Sequence, residues 1–151
     1  MSFEASTAQS TSNNSVRIVE VGPRDGLQNI RTVVPTSVKV ELIKRLVACG
    51  LSVIEATSFV SPKFVPQLAD CLEILSCIKP LYRPNLRFSV LVANLPFVQA
   101  AIANGAQEVA VFVSATEGFS KKNTGCTVDE ALSRARQIAQ EAKKHNIPVR
   151  G

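Results

Sequence analysis

Tryptophan is absent from this 151-residue chain, and tyrosine and histidine occur once each, as Tyr82 and His145. The 17 basic residues are dispersed rather than gathered in a stripe, and no basic run is interleaved with aromatics. The stacking platforms and phosphate tracks of a nucleic-acid binder are therefore missing, and no nucleic acid is expected as a partner despite a formal net charge of +5. A polyanionic small molecule suits that charge better. Apolar runs are broken every few residues by Lys, Glu, Asn or Ser, far short of the ~18 apolar residues that cross a bilayer, so no membrane partner is expected. The four cysteines, Cys49, Cys71, Cys77 and Cys126, show no CxxC spacing and no accompanying histidine pair. Free, mostly buried thiols are predicted in place of a sulfur-bound metal. No GxGxxG follows a strand-like run and no Walker lysine loop occurs, which counts against a nucleotide-binding sheet.

What is present is globular: 46% hydrophobic and 19% charged residues, enough for one core of ordinary size. Residues 1–15 are rich in Ser, Thr, Asn and Gln, carry Glu4 and contain no Arg or Lys. They read as a disordered tail and only weakly as a transit peptide. From residue 16 to 151 strand and helix patterns alternate. Strands are expected at Val16–Val21, Val53–Thr57, Phe88–Val92 and Val109–Val113, with a fifth beginning at Ile147. Between them the periodicity predicts helices over Val38–Cys49, Pro66–Ile78 and Phe97–Asn104, the last with Asn94 as its cap. A long polar loop is expected over Ser114–Cys126. Thr127 with Glu130 three residues later then has the capping-box pattern and opens a helix that ends at Lys143-Lys144-His145, where the single histidine suits the helix dipole better than catalysis.

A helix end, a glycine and an apolar strand recur at Ala48-Cys49-Gly50-Leu51 and at Ala103-Asn104-Gly105-Ala106. Such repetition points to an α/β fold with a parallel sheet. A complete (β/α)₈ barrel typically takes ~250 residues. On that reading the chain is a partial TIM barrel of about four βα units plus a fifth strand; a small doubly wound open sheet is the alternative.

In either architecture the chemistry sits at the C-terminal ends of the strands. Those ends are polar although the strands are apolar: Arg24, Asp25 and Gln28 follow the first, Glu55, Thr57 and Ser58 fall in and after the second, and Asn94 follows the third. Ser114, Thr116, Glu117, Lys121, Lys122 and Asn123 follow the fourth. Asp25 and Glu55 are hard oxygen donors suited to Mg²⁺ or Mn²⁺ or to the waters around such an ion, with pairing to a neighbouring arginine as the alternative for Glu55. Arg24 beside Asp25 suits a substrate carboxylate or carbonyl. Lys121 and Lys122 can meet phosphates or simply be solvated.

Val21-Gly22-Pro23-Arg24-Asp25-Gly26-Leu27-Gln28-Asn29, followed by Glu55-Ala56-Thr57-Ser58-Phe59-Val60-Ser61-Pro62-Lys63, resembles the 3-hydroxy-3-methylglutaryl-CoA lyase family. Lys121-Lys122-Asn123 and Pro148-Val149-Arg150-Gly151 are similar to the same family, so the likeness runs from about Arg17 to Gly151. The resemblance implies a TIM barrel that splits hydroxymethylglutaryl-CoA, an acyl-CoA, into acetyl-CoA and acetoacetate with a divalent metal, in leucine catabolism and ketone-body formation. By position it implies Arg24 as the cation stabilising the acetyl-CoA enolate, Asp25 as a metal ligand, Glu55 as an acidic catalytic residue, and Gln28 and Ser58 as substrate-pocket residues. A mitochondrial compartment is implied by the family, a cytoplasmic one by the weak presequence, and a homo-oligomer is possible. The family's His-x-His, late asparagine and cysteine-bearing glycine loop have no counterpart here. The expectation is therefore that the chain alone lacks lyase activity, with two other readings open: another Claisen- or aldolase-type enzyme of the same family, or a non-catalytic half-barrel binding module.

Overall fold

The computed structural model describes residues 16–151, and the tail expected over residues 1–15 lies outside the described residues. Four parallel strands, β1 (Val53–Phe59), β2 (Arg87–Val92), β3 (Glu108–Ala110) and β4 (Val149–Arg150), pair in the order β1-β2-β3-β4. Five helices accompany them: α1 (Thr36–Ala48) before β1, α2 (Cys71–Ile78) and α3 (Leu95–Ala103) in the next two crossovers, and α4 (Glu117–Thr124) and α5 (Val128–Lys144) in the last. Spatial order equals chain order throughout. A doubly wound sheet would reverse its order at a switch point, so that alternative falls and the barrel-type winding stands.

The strands divide the molecule into two chemically different sides. Ile54, Ala56, Phe59, Phe88, Val90, Val92 and Val109 share one buried apolar cluster with Val40 and Ile43 of α1, Ile74, Leu75 and Ile78 of α2, Val98 and Ala101 of α3, and Ile138 and Ala142 of α5. The helices thus cover a single face. Glu55, Ser89 and Glu108 occupy one row across β1, β2 and β3 on the other. Between Glu55 and Thr57 the register with β2 slips by one residue: Glu55 pairs with Ser89, but Thr57 pairs with Val90. Ala56 is the extra residue of a β-bulge, and beyond it the alternation is inverted, so that Ser58 pairs with Leu91 on the face of Glu55 while Phe59 joins the core.

Several expectations are corrected. The strand expected over Val16–Val21 is reduced to one bridge between Glu20 and Ile54: the Glu20 N–H donates to the Val53 carbonyl at 3.0 Å and its own carbonyl accepts from Glu55 N at 2.8 Å. Val16 and Ile18 are 90% and 69% exposed, because no described element packs against them. The helix expected from Pro66 to Ile78 is split into a 3₁₀ turn at Pro66–Leu68 and α2, which a second 3₁₀ turn at Lys79–Leu81 follows. β3 stops at Ala110, short of Val113, and Phe112 is exposed. Within the expected loop Ser114–Cys126 lies α4, with Thr116 Oγ1 accepting from Phe119 N and Gly125 closing it in the left-handed region at φ 68°. The cysteines are not mostly buried: only Cys126 is, while Cys49 and Cys77 are exposed and Cys71 is half-buried, where desolvation pushes its thiol pKa up. The two repeated glycines do stop helices as expected, at φ 88° for Gly50 and 86° for Gly105. The capping box at Thr127 is also formed, and the Thr127 N–H that donates to the Glu130 carboxyl holds it below its ordinary pKa.

One polar knot sits inside this packing. Lys39, buried on α1, ion-pairs with Asp70 at 2.8 Å and donates to the Gln67 carbonyl; Thr36 Oγ1 donates to the same carboxylate at 2.9 Å. The break before α2 falls where α1 draws Asp70 in. Gln67 Nε2 also donates to the Ile30 carbonyl at 2.7 Å, so the loop after Asp25 and the loop after β1 are tied together. Removing one member of a buried pair leaves the other charge uncompensated. Lys39→Ala is expected to cost about 3 kcal/mol or more in urea unfolding, whereas the exposed neighbour change Lys44→Ala should stay within about 0.5 kcal/mol. Equal effects of the two would remove the knot's structural role.

Candidate functional site

Glu20 leaves the sheet edge directly into Gly22–Gly26, a single wide π-type turn in which the Val21 carbonyl accepts from Arg24 N at 3.1 Å and Asp25 N at 2.7 Å. The turn is held from behind. Gly22 N donates to Glu20 Oε1 at 2.6 Å, and a Cβ on Gly22 would stand 2.7 Å from that same oxygen, so a larger residue would have to push the Glu20 carboxylate aside. Pro23 is buried under the turn. Arg24 therefore emerges with its side chain only 16% exposed, while Asp25 beside it is 56% exposed.

Glu55 meets them from mid-strand. Its carboxylate is fully buried and both oxygens are engaged: Oε1 accepts from Arg24 Nε at 2.5 Å and Oε2 accepts from Arg150 Nη2. A buried carboxylate is tolerable only with such partners, and two guanidiniums supply them. Arg24 Nη1 additionally donates to Asp25 Oδ1 at 2.7 Å. On the far side Arg150 Nε lies 3.9 Å from Glu108 Oε1, and Arg87 Nη1 donates to Glu108 Oε2 at 3.0 Å. Asp25, Arg24, Glu55, Arg150, Glu108 and Arg87 thus form one line of alternating charge across the inner face. The line is neutral overall.

Above it opens a cleft of about 890 Å³ at the C-terminal ends of the strands. Arg24, Asp25, Gln28, Glu55 and Arg150 line one part; Asn94, which caps α3 through an Oδ1 contact with Phe97 N at 3.1 Å, lines another. Lys121, Lys122 and Asn123 reach it from α4, and Arg134 from α5. The cations exceed the carboxylates, which suits an anionic ligand. Of the residues singled out in the sequence, Arg24, Asp25, Gln28 and Glu55 meet at this cleft. Ser58 does not line it: it is buried in the strand, on the face of Glu55, with a hydroxyl that has no hydrogen-bond partner among the described residues. His145 lies away at the end of α5, exposed and 3.8 Å from Glu141. Arg150 and Glu108 were not singled out as site residues. A basic residue closing the last strand, in a sheet whose other strands end in charge, was the available signal for Arg150; Glu108 sits at a strand's start and carried none.

The described residues hold no group of three or more His, Cys, Asp or Glu side chains able to hold a metal ion. Both Glu55 oxygens already accept from arginines, so among the described residues Asp25 remains as the one carboxylate lining the cleft that has an uncommitted oxygen. One carboxylate is not a metal site, and no chemical step is routed through a metal here.

The family description HMGL-like matches residues 15–151. The chain belongs to the HMGL-like family. Metal dependence is general in that family. The chain is 58% identical over 136 residues to the mitochondrial hydroxymethylglutaryl-CoA lyase of Arabidopsis thaliana, covering 90% of this chain and 29% of that protein. It is 53% identical, again over 90% of its length and 39% of the other's, to the cytoplasmic 3-hydroxy-3-methylglutaryl-CoA lyase of Rattus norvegicus, so relatives in two compartments match it. The HMG-CoA lyase structure from Brucella melitensis superposes with a TM-score of 0.85 at 49% identity over 90% of this chain and 47% of that one. A lyase from Acinetobacter baumannii, solved with coenzyme A and 3-methylmalate, superposes at 0.81 with 32% identity over 88% and 43%. The chain spans less than half the length of these proteins. Among the described residues no helix is long and apolar enough to cross a membrane.

Because two buried arginine contacts depend on it, Glu55→Gln is expected to destabilise the chain by about 3 kcal/mol or more in urea unfolding. Asp25→Asn, at an exposed pair, should change stability by less than about 1 kcal/mol. A Glu55→Gln chain as stable as the parent would mean that the buried charge line is not what holds Arg24.

Proposed function

We propose that this chain supplies the arginine side of a hydroxymethylglutaryl-CoA lyase active site, with an acyl-CoA as the substrate. The observation that carries the reading is the state of Arg24. Its Nε is fixed by buried Glu55 and its Nη1 by Asp25, which leaves Nη2 as the nitrogen engaged by neither carboxylate, in a residue that lines the cleft. A guanidinium held on two edges with the third free is a preorganised donor, able to meet charge that develops on a thioester oxygen without reorganising.

In the cleavage the substrate's tertiary hydroxyl gives its proton to a base, the adjoining carbon–carbon bond breaks, and the electron pair moves onto the thioester carbonyl to give the acetyl-CoA enolate, which takes up a proton at carbon to become acetyl-CoA. The hydroxyl carbon becomes the ketone of acetoacetate. Arg24 would stabilise the enolate oxygen, and Gln28 on the same wall would orient the substrate. Glu55, which the resemblance implies as catalytic, has each oxygen on a guanidinium that favours its charged form and so opposes its taking the proton; its role in this reading is to aim Arg24. Asp25 keeps one oxygen uncommitted and would contribute a single ligand to a divalent ion, Mg²⁺ or Mn²⁺, which when bound would polarise the substrate's oxygens. The excess of cations at Lys121, Lys122 and Arg134 suits the phosphates of an acyl-CoA.

The test separates the chain from the site. Residues 16–151 exchanged for the matching segment of the Arabidopsis relative should give a chimera that releases acetoacetate from hydroxymethylglutaryl-CoA with Mg²⁺. In that chimera Arg24→Lys should lower kcat by ~10²-fold or more with KM little changed, because the fork geometry acts only as charge develops. The 151-residue chain by itself should release none. A folded chimera without cleavage would overturn the reading, and turnover by the chain alone would overturn the claim that it supplies only one side.

A further inference from the structure

The charge line continues past the residues that face the cleft, and its inner end has no role in the chemistry above. Glu108 opens β3 at the end of the sheet away from the cleft, is buried, and does not line the cavity. It stands in the same row as Glu55, with only Ser89 between them. Two carboxylates in one buried row repel unless a cation joins them. Arg150 does so from β4, two strands away from Ser89, and the inner-face positions Ser89 and Ala110 are small enough to leave a crossing arginine its space.

Arg150 is itself incompletely held. Nη2 is fixed on Glu55, but Nε is buried without a hydrogen-bond partner among the described residues, and its nearest carboxylate is Glu108 at 3.9 Å. The orientation of the guanidinium plane therefore rests on the charge of Glu108, which Arg87 pins at 3.0 Å from β2. Glu55 accepts from Arg150 Nη2 through Oε2 and from Arg24 Nε through Oε1, so one carboxylate joins the two guanidiniums.

We propose that Glu108 is a positioning residue for Arg24, acting through Arg150 and Glu55 without touching the cleft. The consequence for turnover rests on the lyase reading; the coupling itself does not. It is tested on the 151-residue chain by following the Nε–H resonances of its arginines in ¹⁵N spectra, with Arg24 assigned by its loss in Arg24→Lys. In Glu108→Gln the Arg24 Nε–H should shift and exchange with water at least about tenfold faster, as a donor released from a fixed partner does. Glu41→Gln, at an exposed pair on α1, should leave it unchanged. In an Arg150→Met background Glu108→Gln should have no further effect on Arg24, which a general loosening of the fold would not reproduce. Should Glu108→Gln fail to fold, Glu108→Asp keeps the charge, retracts it by one methylene and should move the resonance less in the same direction. An unchanged Arg24 signal in the folded variants overturns the proposal.

In the chimera Glu108→Gln should lower kcat about tenfold or more at unchanged KM, as misaimed catalytic groups do. Coupled resonances with a parent chimera that does not cleave would sink the lyase reading and leave the relay standing; cleavage with uncoupled resonances would do the reverse.

Discussion

A fully buried carboxylate, Glu55, is the constraint from which the inner face follows. It cannot be dry and unpaired, so the fold must bring it cations, and it brings two from positions 31 and 95 residues away in sequence. One comes from the turn beside β1 and the other from β4, at opposite ends of the sheet. Both can reach it only in a sheet whose strands follow chain order with one face free of helices. The arrangement is a weak source of stability compared with an apolar row of the same volume, since desolvating the charges offsets most of their attraction. What it provides instead is direction: Glu55 holds one nitrogen of each guanidinium, and Arg24 so held lines the cleft.

The parts of this fold that were legible in the sequence are those decided locally. Gly50 and Gly105 after helix ends, Asn94 with Pro96 two residues on, and the Thr127 and Glu130 pair each fix a boundary by a contact within a few residues, and each is found where its chemistry predicts. Alternation of such units was enough to indicate a parallel sheet. The misreadings share a different cause. The run at Val16–Val21 has strand composition, but whether it pairs depends on a neighbour, and it meets only one, at Glu20. The break before α2 comes from Lys39 on another helix taking hold of Asp70. Helix α4 was concealed by its polar composition and by Gly118, although Thr116 and Gly125 mark both its ends.

At the site, residue types named groups that meet at one cleft and an arginine as a partner for Glu55, without naming which arginines. Arg24, Asp25 and Gln28 are legible because a Gly-Pro breaker follows an apolar run and delivers them at the sheet's edge. That Glu55 is saturated by arginines is a property of the folded chain alone, since nothing near residue 55 announces residue 150. Glu108 looked like the start of one more apolar strand. Its significance depends on standing one strand beyond Ser89 in a row that only the register defines. The chain spans less than half the length of the relatives it matches, and within that span it carries the cations that line its own cleft.

The slipped residue at Ala56 makes β1 two strands in one. Up to Glu55 the alternation is fixed by the charge line, and beyond it by Phe59, which must enter the core. With an even rhythm these two demands would conflict, and one of them would set the other. Separated by a phase change, they become independent: the loop that Phe59 launches toward Val60 and Ser61 at the cleft wall can be re-anchored or exchanged without turning Glu55 away from its arginines. The bulge therefore acts as a clutch between the part of the strand that carries charge and the part that shapes the rim.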